Sequence, residues 1–214
     1  MPDPDRTGLI ADDRKPILNR DARCLALTKA TSDSRQCIRK RRTRMAAMDT
    51  MTHLLVQAID PARLDEVRTT GSDGHGNLLR PFAATGQGEP LRCCLRYAEA
   101  DEQITLLSYA VFNHPSVWTE VGPVYIHVGR CEGYTWRSRL PEQLGTGPCV
   151  LRAYRADDTM DYEHNTVITD EVDLEPIIER LLSEPDVATV HVRTLAPQCF
   201  LYAVVPANDR SDGL

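Results

Sequence analysis

The second half of the chain alternates between apolar and polar residues. From Pro123 to Val128, Val124, Ile126 and Val128 fall on one side, and Pro123, Tyr125 and His127 fall on the other. Successive strand residues point to opposite faces, so this pattern predicts a strand. Gly122-Pro123 opens it, Gly129 and Gly133 supply turn chemistry at its end, and Cys131 lies just beyond. The same alternation predicts strands over Thr52–Ile59, Leu91–Tyr97, Gln103–Val111, Cys149–Arg155 and Thr166–Thr169. Val187, Val190 and Val192 lead into another, and Phe200, Tyr202 and Val204 mark the last, across a turn at Leu195-Ala196-Pro197. On Leu91–Tyr97 the set Leu91, Cys93, Leu95, Tyr97 opposes Arg92, Cys94, Arg96, which assigns the two adjacent cysteines to opposite faces. This strand is expected to pair with Gln103–Val111 as a hairpin through Glu99–Glu102.

A helical period is clear at one place. Leu174, Ile177, Ile178, Leu181 and Leu182 recur at i, i+3, i+4, i+7 and i+8, with Asp173 as cap, Pro176 in the first turn and Pro185 beyond the end. A shorter helix is opened by Asp60-Pro61, carries Leu64 and Val67, and closes at Gly71; Leu140–Leu144 reads as one further helical turn. The glycines and prolines from Gly71 to Pro90 mark a long loop. Its glycine clusters follow no strand and precede no Lys-Ser/Thr, so it is not a phosphate-binding loop. The predicted fold class is α+β: a mainly antiparallel sheet with one long amphipathic helix and one short helix packed on it.

Composition changes this picture at the N-terminus. The chain has 214 residues and a formal net charge of -6. Residues 1–50 carry 12 basic and 7 acidic side chains, a balance of +5, which leaves -11 for the remainder. Residues 1–47 have no sustained period and are read as a disordered or loosely ordered basic segment, 48–208 as a single domain and 209–214 as a disordered tail. The run Arg39-Lys40-Arg41-Arg42-Thr43-Arg44 could bind nucleic acid or an anionic surface, though a solvated linker or sequence upstream of the true start is the favoured reading, and the acidic body argues against nucleic acid as the main partner. No apolar run is long enough to cross a bilayer, and the N-terminus lacks the layout of a secretion signal. The seven cysteines are odd in number and irregularly spaced, which predicts reduced thiols and a cytoplasmic location rather than a disulfide framework.

The candidate chemistry collects on the polar strand faces. Arg92, Tyr125, Arg152, Tyr154 and Arg193 form one group, suited to an anionic small molecule because guanidinium forks match carboxylate and phosphate geometry. Cys131 with His127, and Cys199 with His191, are the candidate catalytic pairs of a rival cysteine-dependent enzyme; Arg193 is placed opposite Cys199 on the terminal hairpin. His127, Cys131, His191 and Cys199 could together offer four zinc donors, but no Cys-x2-Cys pair supports them, so no metal and no cofactor is predicted. A protein-docking module is the third class. No hydrolase elbow, zinc-protease or dinucleotide motif is present.

Leu91-Arg92-Cys93-Cys94-Leu95, Gly122-Pro123-Val124-Tyr125-Ile126-His127 with Cys131, Leu151-Arg152-Ala153-Tyr154, and Val190-His191-Val192-Arg193 with Cys199-Phe200 resemble, in order, the bacterial domain-of-unknown-function 1203 family. The resemblance runs from about residue 52 to about residue 205, with the N-terminal segment outside it. Thr194 and Gln198 stand where family members often carry Asn and Gly. It implies a small soluble single-domain protein and no particular activity.

Overall fold

The structure, a computed structural model, describes residues 54–207; the N-terminal segment with its basic run and the C-terminal tail lie outside the described residues. The elements run β1 (Leu54–Gln57), α1 (Pro61–Thr70), β2 (Phe82–Ala83), β3 (Pro90–Leu91), β4 (Arg96–Tyr97), β5 (Gln103–Ala110), β6 (Val121–His127), β7 (Cys149–Tyr154), β8 (Met160–Ile168), α2 (Glu175–Leu182), β9 (Thr189–Thr194) and β10 (Phe200–Pro206). They build two five-stranded sheets, ordered β1-β10-β9-β7-β8 and β2-β5-β6-β3-β4.

This corrects the predicted fold class. The described residues are mostly β, in two sheets rather than one, and the helices are short, ten and eight residues. The apolar stripe of α2 is real, with Ile178, Leu181 and Leu182 buried, but Leu174 precedes the helix as its cap residue and Ser183 ends it. An apolar stripe fixes which face is buried, not how many turns are formed. At α1, Asp60 caps as its sequence predicts, accepting from Ala62 N at 2.9 Å, and Gly71 closes the helix at φ 70°, where a side chain would be strained. Leu140–Leu144 is a turn rather than a helix, closed by Leu144 N donating to Pro141 O.

Two apolar cores follow from strand alternation. Leu151, Ala153, Val190, Val192, Tyr202 and Val204 pack with α2 in one. Ile104, Leu107, Val124 and Ile126 of the second sheet pack with Leu64 of α1 and with Phe200 and Ala203 in the other. The opposite face of the first sheet, bearing Arg152, Tyr154, His191 and Arg193, is therefore not a wet surface. His191 is 3% exposed, Arg193 6% and Tyr154 2%. The His191 ring lies 4.3 Å from that of Tyr154, with Phe112 and Phe200 around it, and its Nδ1 has no hydrogen-bond partner among the described residues.

Burial pushes the His191 imidazole down to about 3, with the Arg193 and Arg152 charges acting in the same direction. The unfolded chain then binds a proton that the folded chain refuses between pH 6.5 and 3, so stability falls as pH falls through that window. The expected loss for the wild type between pH 7 and 4.5 includes about 2–3 kcal/mol from this residue, at about 1.4 kcal/mol per pKa unit. In His191→Leu that increment disappears. Urea unfolding of both proteins at the two pH values measures the difference, and equal losses would refute it.

Candidate functional site

Leu91–Tyr97 does not form the predicted strand. β3 stops at Leu91, the chain turns through Arg92–Leu95, and β4 returns to pair with β3, with Pro90 opposite Tyr97. Leu95 N donates to Leu91 O at 2.9 Å, and Leu95 takes the left-handed conformation at φ 57°. That conformation costs an L-residue of this size about 1–2 kcal/mol, offset here by burying the Leu95 side chain, which is 2% exposed. The expected β4–β5 hairpin is likewise absent, because β5 pairs with β6 and β2 instead.

The turn sits beside β6 because β3 and β6 run parallel, with Leu91 opposite Tyr125 and Arg92 N donating to Tyr125 O at 2.9 Å. Cys93 and Cys94, assigned by alternation to opposite faces, both reach His127 at the end of β6. Cys93 Sγ lies 3.4 Å and Cys94 Sγ 3.9 Å from His127 Nδ1, and the two sulfurs are 4.0 Å apart. Cys131, in the loop after β6, completes a set of four ligand atoms that all lie within 4.8 Å of one another.

Tetrahedral zinc, with Zn–S about 2.3 Å and Zn–N about 2.0 Å, requires edges of about 3.8 Å between sulfurs and about 3.5 Å between sulfur and nitrogen. The Cys93–Cys94 separation of 4.0 Å and the Cys93–His127 separation of 3.4 Å lie close to those edges, the Cys94–His127 separation of 3.9 Å is a few tenths longer, and Cys131 lies within 4.8 Å of all three. A two-metal cluster would need its donors spread by a further metal–metal separation, so the set fits a single ion. Backbone N–H groups face all three sulfurs: His127 N donates to Cys93 at 3.5 Å, and the N–H groups of Arg96 and Gly133 favour the Cys94 and Cys131 thiolates. In the last two cases the donor lies two residues after the cysteine, and a left-handed Leu95 or Gly133 (φ 77°) turns the chain there.

The thiols hold one another's protons. The hydrogen bond that Cys94 accepts from Cys93 outweighs burial and draws Cys94 below an ordinary thiol, whereas the hydrogen bond that Cys131 gives to Cys93 acts together with burial and pushes Cys131 up to about 12. For Cys93 the hydrogen bond with Cys131 works downward, but Cys94 and burial outweigh it and carry the thiol up to about 11. Cys93 is buried, whereas Cys94, Cys131 and His127 line a cleft of about 510 Å³ shared with Arg96, Tyr134, Trp136 and Arg139. Arg96 grips Glu102 with two nitrogens, at 2.9 and 2.5 Å, which holds the Glu102 carboxyl down at about 2.

The other candidates lie elsewhere. Arg92 is 2% exposed and donates to the carbonyls of Phe200 and Pro90, and burial draws its guanidinium down to about 10. Arg152 and Arg193 are bridged by the carboxylate of Glu120, at 2.6 Å from each. Burial works to raise Glu120, and the two guanidiniums outweigh it and hold it low. Arg152 also reaches Gln198 Oε1 at 2.5 Å. Tyr154 lies beneath this group, and Tyr125 belongs to the second sheet, edge-on to Phe82. Arg193 pairs with Phe200 rather than Cys199, because the β9–β10 ladder carries a bulge. Cys199 Sγ faces Pro197 O at 3.8 Å, while His191 is enclosed by aromatic rings. Of the two Cys–His pairs, only Cys131 and His127 meet in the cluster.

Alternation missed Cys93 as a site residue, and Glu102 and Glu120 carry no periodic signal at all. The adjacency Cys93-Cys94 and the run Cys131-Glu132-Gly133 were the available signs. Among the described residues no helix is long and apolar enough to cross a membrane.

No curated protein and no solved structure matches the chain. The family described as protein of unknown function (DUF1203) matches residues 88–205, a span that holds the turn, His127, Cys131, Glu102 and Glu120. With more than half of its length inside that match, the chain belongs to the DUF1203 family.

Proposed function

We propose that this domain binds one divalent, thiophilic cation of the zinc class through Cys93, Cys94, Cys131 and His127. The observation that carries the reading is the mutual approach of the four donor atoms, all within 4.8 Å, at spacings that suit a tetrahedral ion. Three thiolates on a 2+ ion leave one negative charge, and Arg96 stands beside Cys94 to balance it. Four protein donors complete the shell, so the ion's role is to tie the loop after β6 to the turn before β4 rather than to activate water. The tie also fixes one wall of the cleft.

Cobalt(II) tests this directly. The wild type is expected to bind one ion per chain, with the near-ultraviolet sulfur-to-metal band and the visible bands of a tetrahedral site. Cys93→Ser, Cys94→Ser, Cys131→Ser and His127→Ala each weaken binding at least tenfold, while Cys149→Ser and Cys199→Ser do not. Absence of those bands in the wild type, or an unaltered spectrum in Cys93→Ser, would exclude the site. Bound metal also raises stability, by about 2.7 kcal/mol at a free concentration one hundred times Kd.

Metal-free protein should show unequal thiols. With iodoacetamide at neutral pH, Cys94 is modified before Cys93 and Cys131, since the thiolate is the nucleophile and only Cys94 is drawn downward. Peptide mass spectrometry over a time course reads the order, and zinc protects all three.

A second reading, binding of an anionic small molecule between Arg152 and Arg193, rests on the fork already holding a carboxylate, that of Glu120 at 2.6 Å from each guanidinium, which an external anion must displace. Acetate is then expected to raise the melting temperature of the wild type, and to raise it further in Glu120→Ala, where the fork is vacant. A wild type whose melting temperature does not respond to acetate would reject this reading.

A further inference from the structure

An imidazole that ligates through Nδ1 carries its proton on Nε2, so the partner of Nε2 decides how readily the ring can serve as a ligand. Two side chains face His127 Nε2: Arg96 Nη2 at 3.3 Å and Glu102 Oε1 at 3.5 Å. A guanidinium has only donors, so the Arg96 contact is favourable when Nε2 offers its lone pair. The ring proton then sits on Nδ1, directed at the Cys93 sulfur 3.4 Å away. A cation at the cluster takes the place of that proton. Nε2 becomes a donor, its contact with Arg96 turns unfavourable, and Glu102 Oε1 is the acceptor at hand.

We infer that Glu102 is the positioning residue of the metal centre, and that metal binding moves the ring proton of His127 from Nδ1 to Nε2 and its hydrogen bond from Arg96 to Glu102. This rests on the metal-binding reading above. The placement of Glu102 is built into the sheet. Glu102 directly precedes β5, where Ile104 pairs with His127, and its own carbonyl accepts from Ala84 N at 2.8 Å. Its carboxylate is further held on Oε2 by Glu99 N at 2.8 Å and Arg96 Nη1 at 2.9 Å, and on Oε1 by Arg96 Nη2 at 2.5 Å. Oε2 therefore keeps Arg96 docked while a second lone pair of Oε1 takes the ring N–H. A carboxylate behind a ligating histidine raises its basicity and fixes its orientation, and removing such a partner costs 10–100-fold in metal affinity.

The test combines long-range proton–nitrogen NMR of His127 with competitive zinc titration. In the wild type the metal-free ring is expected as the Nδ1–H tautomer and the zinc-bound ring as Nε2–H, ligated through Nδ1. Glu102→Leu lowers zinc affinity 10–100-fold, whereas Glu102→Gln, whose amide oxygen still accepts, retains most of it. Zinc bound equally by wild type and Glu102→Leu, or a metal-free ring already protonated on Nε2, overturns this inference and leaves the metal site standing. A wild type that takes up no zinc overturns the metal reading itself, and this inference with it. Thermal melts of the metal-free variants show whether each is folded, and the wild-type tautomer decides the question even if Glu102→Leu is not.

Discussion

The parallel pairing of β3 with β6 is the constraint from which the site follows. In a sheet whose other pairings are antiparallel, this one sets the start of the turn level with Tyr125, two residues short of His127. Parallel neighbours need a connection that leaves and returns, and here β4 and β5 lie within it. β5 then flanks β6 on its other side and brings Glu102 to the same end of the sheet. One pairing thus gathers adjacent cysteines, an imidazole and a carboxylate from three separate segments, while Cys131 arrives simply by following β6 in the chain.

The second sheet also changes what the arginines do. Arg92, Arg152 and Arg193 would be free recognition groups on an exposed face. Enclosed between two layers, each must satisfy its donors within the protein, because a buried unpaired charge is costly. Arg92 does so with main-chain carbonyls of Phe200 and Pro90, and this ties the site turn to the first strand residue of β10. Arg152 and Arg193 share Glu120. These are interior braces that join one layer to the other, and their polar chemistry is consumed in doing so.

Much of the strand content was legible because alternation is a direct consequence of backbone geometry. β5, β6, β7, β9 and β10 follow from it to within one or two residues at their ends, and the caps of α1 from Asp60-Pro61 and Gly71. What period cannot supply is which strand neighbours which, nor whether the second face of a strand meets water or another layer. One error came from that gap, the single sheet in place of two. The strand assigned to Leu91–Tyr97 failed for a different reason. Its seven residues alternate perfectly, yet Arg92–Leu95 form a turn between two short strands, with Leu95 at a positive φ, and Leu gives no sign of that conformation in the way Gly or Asn would. The approach of Cys93 to His127 was hidden by that turn.

Cys93 and Cys131 lie far apart along the chain, and an ion joining them, as proposed, would close a ring of backbone that includes β4, β5 and β6. Such closure acts mainly on the unfolded ensemble, whose freedom it restricts more strongly the longer the ring. Unlike a disulfide, this fastening can be undone by chelation without breaking a covalent bond. With the proposed ion in place, the irregular stretch after β6 is the part of the protein whose order would depend on metal supply. A protease probing the metal-free domain would then find its first foothold there.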